Sequence, residues 1–263
     1  MIHSFNRLEL KYVIPSVIRD ALFEDLRANV SPDPEGGSGV YQVTSLYYDT
    51  ADLACFRAKL EGIKFRRKLR IRRYGTLGND PDAAVMVEIK QRINRTTQKR
   101  RIELPLREAY SLCAGNLLRE WPDQTHAAVA DEVTFLALAL SLRPTCVIGY
   151  IRRAFIGSRY EPGLRITFDH GLWSSVADAG LGGGAARHAF LSPDWVVMEL
   201  KTDRAIPIWV SNLLARNNVA LVRFSKYCTG LARLHRLGLA SGTGAADATD
   251  DQGAPILRGA PHG

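Results

Sequence analysis

Through much of the chain, charged and apolar residues take turns at single-residue spacing. From Phe65 to Tyr74 the sequence reads FRRKLRIRRY, with Arg66, Lys68, Arg70 and Arg72 at every second position and Leu69 and Ile71 between them. That is the period of a β-strand, whose successive side chains point to opposite faces. A helix would scatter these cations around its axis. The same alternation predicts strands elsewhere. Over 5–13 it sets Arg7, Glu9 and Lys11 against Leu8, Leu10 and Tyr12, and over 85–92 it sets Met86, Glu88, Lys90 and Arg92 against Val85, Val87 and Ile89. Over 98–104 it groups Lys99, Arg101 and Glu103, over 145–156 Tyr150 and Arg152, and over 164–170 Arg165, Thr167 and Asp169. Residues 195–201 group Glu199 with Lys201, and 41–48 also read as a strand.

Other stretches repeat at helical spacing. Pro15 stands at a helix start, followed by an apolar stripe of Val17, Ile18, Ala21, Leu22 and Leu26. Asp49 and Thr50 are placed to cap a short helix ending near residue 60. Helices are also expected over 107–118, 125–142, 206–216 and 225–237. Residues 31–39 (SPDPEGGSG) and 74–82 (YGTLGNDPD) read as loops, and 176–189, rich in Gly and Ala, as a loose segment. From about residue 240 the chain is Gly, Ala, Asp and Pro. It divides into one domain over 1–239 and a disordered tail over 240–263.

A strand series with one charged face has two architectures open to it. In a sandwich the apolar faces meet and the charges lie in water. If the amphipathic helices cover the apolar face instead, the charges point inward and the sheet curls into an antiparallel barrel with a cation-lined lumen. The abundance of Arg and Lys on these faces, and the need of the helical stripes for an apolar surface, favour the second. Such a lumen repels itself unless an anion fills it. Arg forks and Lys point charges suit the oxygens of a phosphate chain. A few carboxylates could then hold a divalent ion bridging the phosphates.

The net charge of +8 agrees with an anionic partner. Nucleic acid fits less well, because the aromatics do not interleave with the cations as stacking platforms would. Cys55, Cys113, Cys146 and Cys228 match no zinc spacing and read as reduced core thiols. The first residues lack the apolar core of a signal peptide, and the longest apolar run, 135–140, is too short to cross a bilayer. A cytoplasmic protein without a transmembrane segment is expected, with association to a membrane or partner protein left open.

The ordered motifs RLELKY (from Arg7), SLYYDT (from Ser45), KLRIRRY, VEIK (from Val87), YIRRAF (from Tyr150), LRITFD (from Leu164), MELK (from Met198) and FSKY (from Phe224) resemble the VTC domain, the polyphosphate polymerase domain of the triphosphate tunnel metalloenzyme superfamily. The resemblance covers about 5–237. It implies an α+β fold built on an eight-stranded antiparallel β-barrel with flanking helices. It implies transfer of the γ-phosphate of ATP to polyphosphate, with pyrophosphate as a further ligand and Mn2+ or Mg2+ as cofactor. Carried over by position, the phosphate-binding cations are Lys11, Arg70, Arg72, Lys90, Lys99, Arg152, Arg165 and Lys226, and the metal-binding glutamate is Glu199. Ser225 falls near the bound phosphate, and Lys201 faces the lumen with it. Arg66, Lys68 and Tyr150 join the expected substrate contacts by strand phase. The hydrolase and cyclase branch of the superfamily opens on ExExK. Here Arg7 gives RxExK, which favours the polymerase branch.

Several assignments keep a plainer alternative. Glu9, Glu88 and Glu199 are metal ligands or ion-pair partners of lumen cations. Asp169 is a further ligand or a partner for Arg165. Arg73, Arg95 and Arg100 are expected in solvent, and Trp195 and Trp209 in the core or docking a helix. A tripolyphosphatase, a nucleoside triphosphatase or a non-catalytic polyphosphate-binding module of the same fold are the competing functions.

Overall fold

Alternating segments become strands and striped segments helices in a computed structural model, which describes residues 8–34, 37–76, 78, 80–94, 96–116, 121 and 123–240. The strands are β1 (Leu8–Pro15), β2 (Val30–Pro32), β3 (Val40–Asp49), β4 (Phe65–Tyr74), β5 (Ala84–Ile93), β6 (Thr96–Pro105), β7 (Arg143–Gly157), β8 (Arg165–Val176), β9 (His188–Ala189) and β10 (Trp195–Thr202). The helices are α1 (Ser16–Leu26), α2 (Ala54–Leu60), α3 (Leu106–Cys113), α4 (Gln124–Ala139), α5 (Ile208–Arg216) and α6 (Lys226–Arg236). Eight strands follow the antiparallel path β1-β10-β8-β7-β3-β4-β5-β6, with β2 paired to β7 and β9 to β8. The expected barrel is a curled half-barrel. No backbone ladder joins β1 to β6 among the described residues. A side-chain contact spans the gap instead, Lys90 Nζ of β5 donating to Glu9 Oε2 of β1 at 2.8 Å.

Two helix layers decide which face turns inward. Leu46, Leu69, Ile71, Val87 and Ile89 pack against Leu112 of α3 and Val133 and Leu136 of α4. Ile14, Ile166, Phe168, Met198 and Leu200 pack against Leu22 and Leu26 of α1 and Val210 and Leu213 of α5. Each of these buried side chains contributes about 1.5–3 kcal/mol. A one-residue slip would carry the whole set to the charged face, so the register is strongly specified. The inner face is not polar throughout. Tyr227, Leu231 and Leu234 of α6 lie on Tyr47, Ile148 and Leu172 of the sheet. Gly230 permits that approach, since a Cβ there would meet Ile148 Cδ1 at 2.4 Å.

Several segments differ from the sequence reading. The loop expected over 31–39 begins with β2, which pairs with the far end of β7. The strand expected over 164–170 runs on to Val176, because Gly171 at φ 59° absorbs the register shift opposite Gly149–Ile151. The loose segment contains a 3-10 turn (Ala177–Gly182) and β9. Helix α3 ends at Cys113, short of the expected 118. Trp195 is 38% exposed rather than core, while Trp209 docks α5 by donating from Nε1 to Glu161 at 2.9 Å. Arg100 is not in solvent. It pairs with Glu132 of α4 at 2.5 Å and donates to Gln91 at 2.8 Å, tying β6 to its covering helix. Arg73 donates to the Gly78 carbonyl at 2.8 Å. Arg7, Arg95 and the tail over 241–263 lie outside the described residues, and all four cysteines are free. No helix among the described residues is long and apolar enough to cross a membrane.

Asp49 caps α2 from farther away than expected, with Leu53 in the left-handed conformation between them. Its carboxylate accepts from the backbone N–H of Cys55 at 2.8 Å and of Phe56 at 2.9 Å, and from Tyr227 Oη at 2.5 Å. This one buried group fixes both α2 and α6. Asp49→Ala orphans these three donors and the Thr50 N–H, which also reaches the carboxylate at 2.8 Å, and a loss of about 3 kcal/mol is expected in urea unfolding. A loss below about 1 kcal/mol would contradict the cap.

Candidate functional site

Strand pairing assembles the inner face. Lys11 lies opposite Glu199 and Glu9 opposite Lys201, Arg152 opposite Asp169, and Arg70 opposite Glu88. Nearly every residue expected at the site therefore shares one concave surface. Two charge clusters stand on it.

The first surrounds Glu199 and Asp169. Glu199 receives Lys226 at 2.6 Å, Lys201 at 3.2 Å, Lys11 at 3.4 Å and Arg152 at 3.8 Å. Asp169 accepts both arms of the Arg152 fork, at 2.7 and 2.8 Å, and Lys226 at 2.6 Å. Asp169 thus partners Arg152, not Arg165. Burial pushes the Glu199 carboxyl up, but Lys11, Lys226, Lys201 and Arg152 outweigh it and hold the group well below the usual range. Burial likewise pulls the Lys226 amine down, and Asp169 and Glu199 more than reverse this. Helix α6 delivers Lys226 from its first turn. Ser225 is the N-cap, its Oγ accepting from the Cys228 N–H at 3.3 Å.

The second cluster encloses Glu88. Arg70 reaches it at 2.6 Å, Arg72 at 3.8 Å, and Lys99 is in contact. Burial raises this carboxyl, and Arg70, Arg72 and Lys99 bring it well below the usual range. Tyrosines complete the shell. Arg70 donates to Tyr47 Oη at 2.9 Å, and Arg72 to Ser45 Oγ at 3.1 Å and Tyr150 Oη at 3.4 Å. The Tyr150 ring also lies beneath Lys226 at 5.0 Å and Arg152 at 5.3 Å. Burial pushes the Tyr47 phenol up, but Arg70, Arg72 and Lys68 bring it down to about 8.

Glu9 links the clusters, holding Lys90 at 2.8 Å and Lys11 at 3.5 Å. Near the Tyr74 end of β4, Arg165 pairs with Asp33 at 2.6 Å and donates to Tyr41 Oη at 2.8 Å, with Tyr41 edge-on to Tyr74. At the other end of β4, Lys68 donates to Ser225 Oγ at 3.3 Å and sits 4.8 Å over the Tyr227 ring. Arg66 there reaches the Ile63 carbonyl. Arg165 Nε and Thr167 Oγ1, both on the inner face, are buried without hydrogen-bond partners.

Of the four carboxylates considered for metal, Asp169 is taken by Arg152 and Lys226, and Glu9, Glu88 and Glu199 do not converge. Glu9 and Glu199 are diagonal neighbours on adjacent strands and share Lys11. Glu88 belongs to the other cluster, and no group of three or more metal-binding side chains exists among the described residues. An ion carried mainly by phosphate oxygens and water needs only one or two carboxylates, and the Glu9–Glu199 pair fits that use. Asp33, Tyr41, Ser45 and Tyr47 were missed in sequence. The last three alternate along β3 in phase with the cations, which was the available signal. Asp33 lies in a loop and carried none.

The geometry defines a half-barrel whose concave face is lined by cations in excess of its carboxylates. The chain belongs to the VTC-domain family, whose model matches residues 6–235, and so has a tunnel fold of the triphosphate- and polyphosphate-binding kind. Solved structures show distant likeness. A suggested adenylate cyclase from Bacillus halodurans is 13% identical, with 84% of this chain and 95% of that one covered at a TM-score of 0.48. A Pyrococcus horikoshii OT3 protein is 14% identical (88% and 99% covered, TM-score 0.42). A suggested adenylate cyclase from Vibrio parahaemolyticus is 11% identical (86% and 98% covered, TM-score 0.42). No curated protein matches the chain.

Lys99 gives the site a pH signature. The side chain is 39% exposed along its length, and desolvation of its amine end against the wall pulls the amine down to about 7, with Glu88 opposing the fall and Arg70 and Arg72 adding to it. It is charged below that pH and neutral above. Affinity for tripolyphosphate is expected to drop by on the order of tenfold between about pH 6 and about pH 9 relative to Lys99→Arg, whose charge persists. Superimposable profiles for the two proteins would contradict this.

Proposed function

We propose that the protein is an ATP-dependent polyphosphate polymerase, moving the γ-phosphate of ATP onto a phosphate chain lying in the basic tunnel. The observation that supports this most is the surplus of inward cations, with Arg165 Nε and Thr167 Oγ1 buried and unpartnered beside them. A bare surplus of this kind is costly, and a phosphate chain relieves it. Phosphoryl transfer asks mainly for positioning and charge neutralisation, which such a face provides.

The roles follow position. Arg165, Arg72 and Arg152, toward the Tyr74 end, would meet the donor phosphates with the guanidinium N–H groups that their carboxylate and hydroxyl partners leave available. Arg70, Lys11, Lys201 and Lys226 stand at the middle, where charge builds on the transferring group. Lys68, Lys90 and Lys99, on one rung, would hold the acceptor chain with Ser225 as a hydroxyl contact, and Tyr150, beside Arg72 and Arg152, would serve the donor end. The ionised terminal oxygen of the acceptor is already a nucleophile, so no protein base is required. Glu199 and Glu9 would hold Mn2+ or Mg2+, which when bound spreads the phosphate charge. Glu88 instead fixes the directions of Arg70, Arg72 and Lys99.

Incubation of the protein with ATP and manganese tests the reading. Long-chain polyphosphate is the expected product. Orthophosphate without chains would make the protein a hydrolase, and tight pyrophosphate binding without turnover a binding module.

A further inference from the structure

The acceptor end of the tunnel continues into further cations. Register places Arg66 directly opposite Arg92, and on the next inward rung Lys68 opposite Lys90 and Lys90 opposite Lys99. Like charges facing each other across a ladder destabilise it. One rung further in, Arg70, Glu88 and Arg101 alternate in sign. The sequence therefore stops supplying carboxylates toward this rim.

Other elements bring more cations to the same place. Lys59 of α2 senses Lys68, Arg66 and Lys11 as near charges, and Arg66 senses Arg92 and Arg223. Burial brings the Lys59 amine down to about 8, with Cys228 opposing the fall and those cations adding to it. Among the described residues, none of Lys59, Arg66, Lys68, Arg92 and Arg223 has a carboxylate at ion-pair distance. Arg66 and Arg92 instead donate to backbone carbonyls, of Ile63 and of Asn94, which neutralise nothing. Deeper in the tunnel, past Lys68, each expected phosphate cation has an acidic partner.

We propose that Lys59, Arg66, Arg92 and Arg223 form a second anion site outside the tunnel, which takes the protruding length of an inorganic polyphosphate chain. The inference rests on the polymerase reading of the tunnel and adds a direction to it. The chain leaves past Lys68 over the α2–β4 rim, and donor phosphates come from the Arg165 side. The site draws on four separate segments, with Arg92 and Arg223 exposed and Lys59 and Arg66 half-buried, and among the described residues it has no aromatic platform for a base beyond Phe65, whose ring is taken by Arg67 at 4.8 Å. A flexible, base-free polyanion suits it better than a nucleotide.

The test compares long-chain inorganic polyphosphate with tripolyphosphate, which is too short to reach the rim from the tunnel. Binding is measured by calorimetry for the unaltered protein and for Lys59→Gln/Arg92→Gln/Arg223→Gln. The triple variant is expected to weaken long-chain binding about tenfold more than tripolyphosphate binding, and to flatten the salt dependence for the long chain alone. Equal losses for the two ligands, or no loss for either, would overturn the second site. A thymidine oligonucleotide that competes as well as long polyphosphate would overturn the choice of an inorganic chain. If the unaltered protein binds no tripolyphosphate, it is the tunnel reading that fails, and the rim site with it. A melting curve for the variant matching the unaltered protein assigns any loss to contacts at the rim.

Discussion

Glu199→Gln is expected to lower manganese-dependent transfer from ATP by on the order of 10³-fold while tripolyphosphate stays bound. The substitution keeps the shape and removes one charge. Glu199 faces Lys11, Lys201, Lys226 and Arg152, so its loss leaves the face more positive and the anion held at least as tightly. With Glu9 it is also the carboxylate pair assigned to the ion, and that function does not survive as an amide. Transfer from labelled ATP and calorimetric titration separate the two effects. Full turnover in the variant would remove the metal assignment. Loss of turnover together with loss of binding would make Glu199 an organiser of the cations alone.

The second large effect is on stability. Arg152 is buried and forks onto Asp169, itself fully buried. Arg152→Met strands that carboxylate with Lys226 alone and is expected to cost about 3–5 kcal/mol in denaturant unfolding. Arg152→Met/Asp169→Leu removes both charges and should regain most of that, because a buried pair often contributes little beyond an apolar replacement. Tripolyphosphate binding should stay impaired in the double variant, since one inward cation is gone. Recovered stability with recovered binding would show that Arg152 holds no phosphate. The sign with pH follows. Glu88, Glu199 and Asp169 have folded values below their unfolded ones. Their contribution is therefore complete above the ordinary carboxyl range and lost as pH falls through the lowered values.

The alternation in FRRKLRIRRY made β4 legible to the residue, since period two has one structural meaning and the loops on either side are rich in glycine and polar residues. The inward direction of the cations was legible only jointly, from the strand pattern and the helical stripes that needed its apolar side. Three features were not. The open seam between β1 and β6 depends on strand tilt and curl, which no local pattern records. The placement of α6 on the inner face depends on Gly230 meeting Ile148, a contact between distant segments. The pairing of charges followed register. Asp169 was free in sequence to serve Arg165, yet opposite it in the ladder stands Arg152. Glu88 was open in sequence to a metal or an ion-pair role, as Glu9 was, and only the fold sets it in a different cluster from Glu199.

The central claim is that the inward cations hold a chain of phosphates. A crystal structure of the protein grown with tripolyphosphate tests it most directly. The phosphates are expected on the concave face, within hydrogen-bond distance of Arg152, Lys226, Lys11 and Arg70. Phosphates bound only to the helix-covered outer surface, with the concave ion pairs intact, would contradict it.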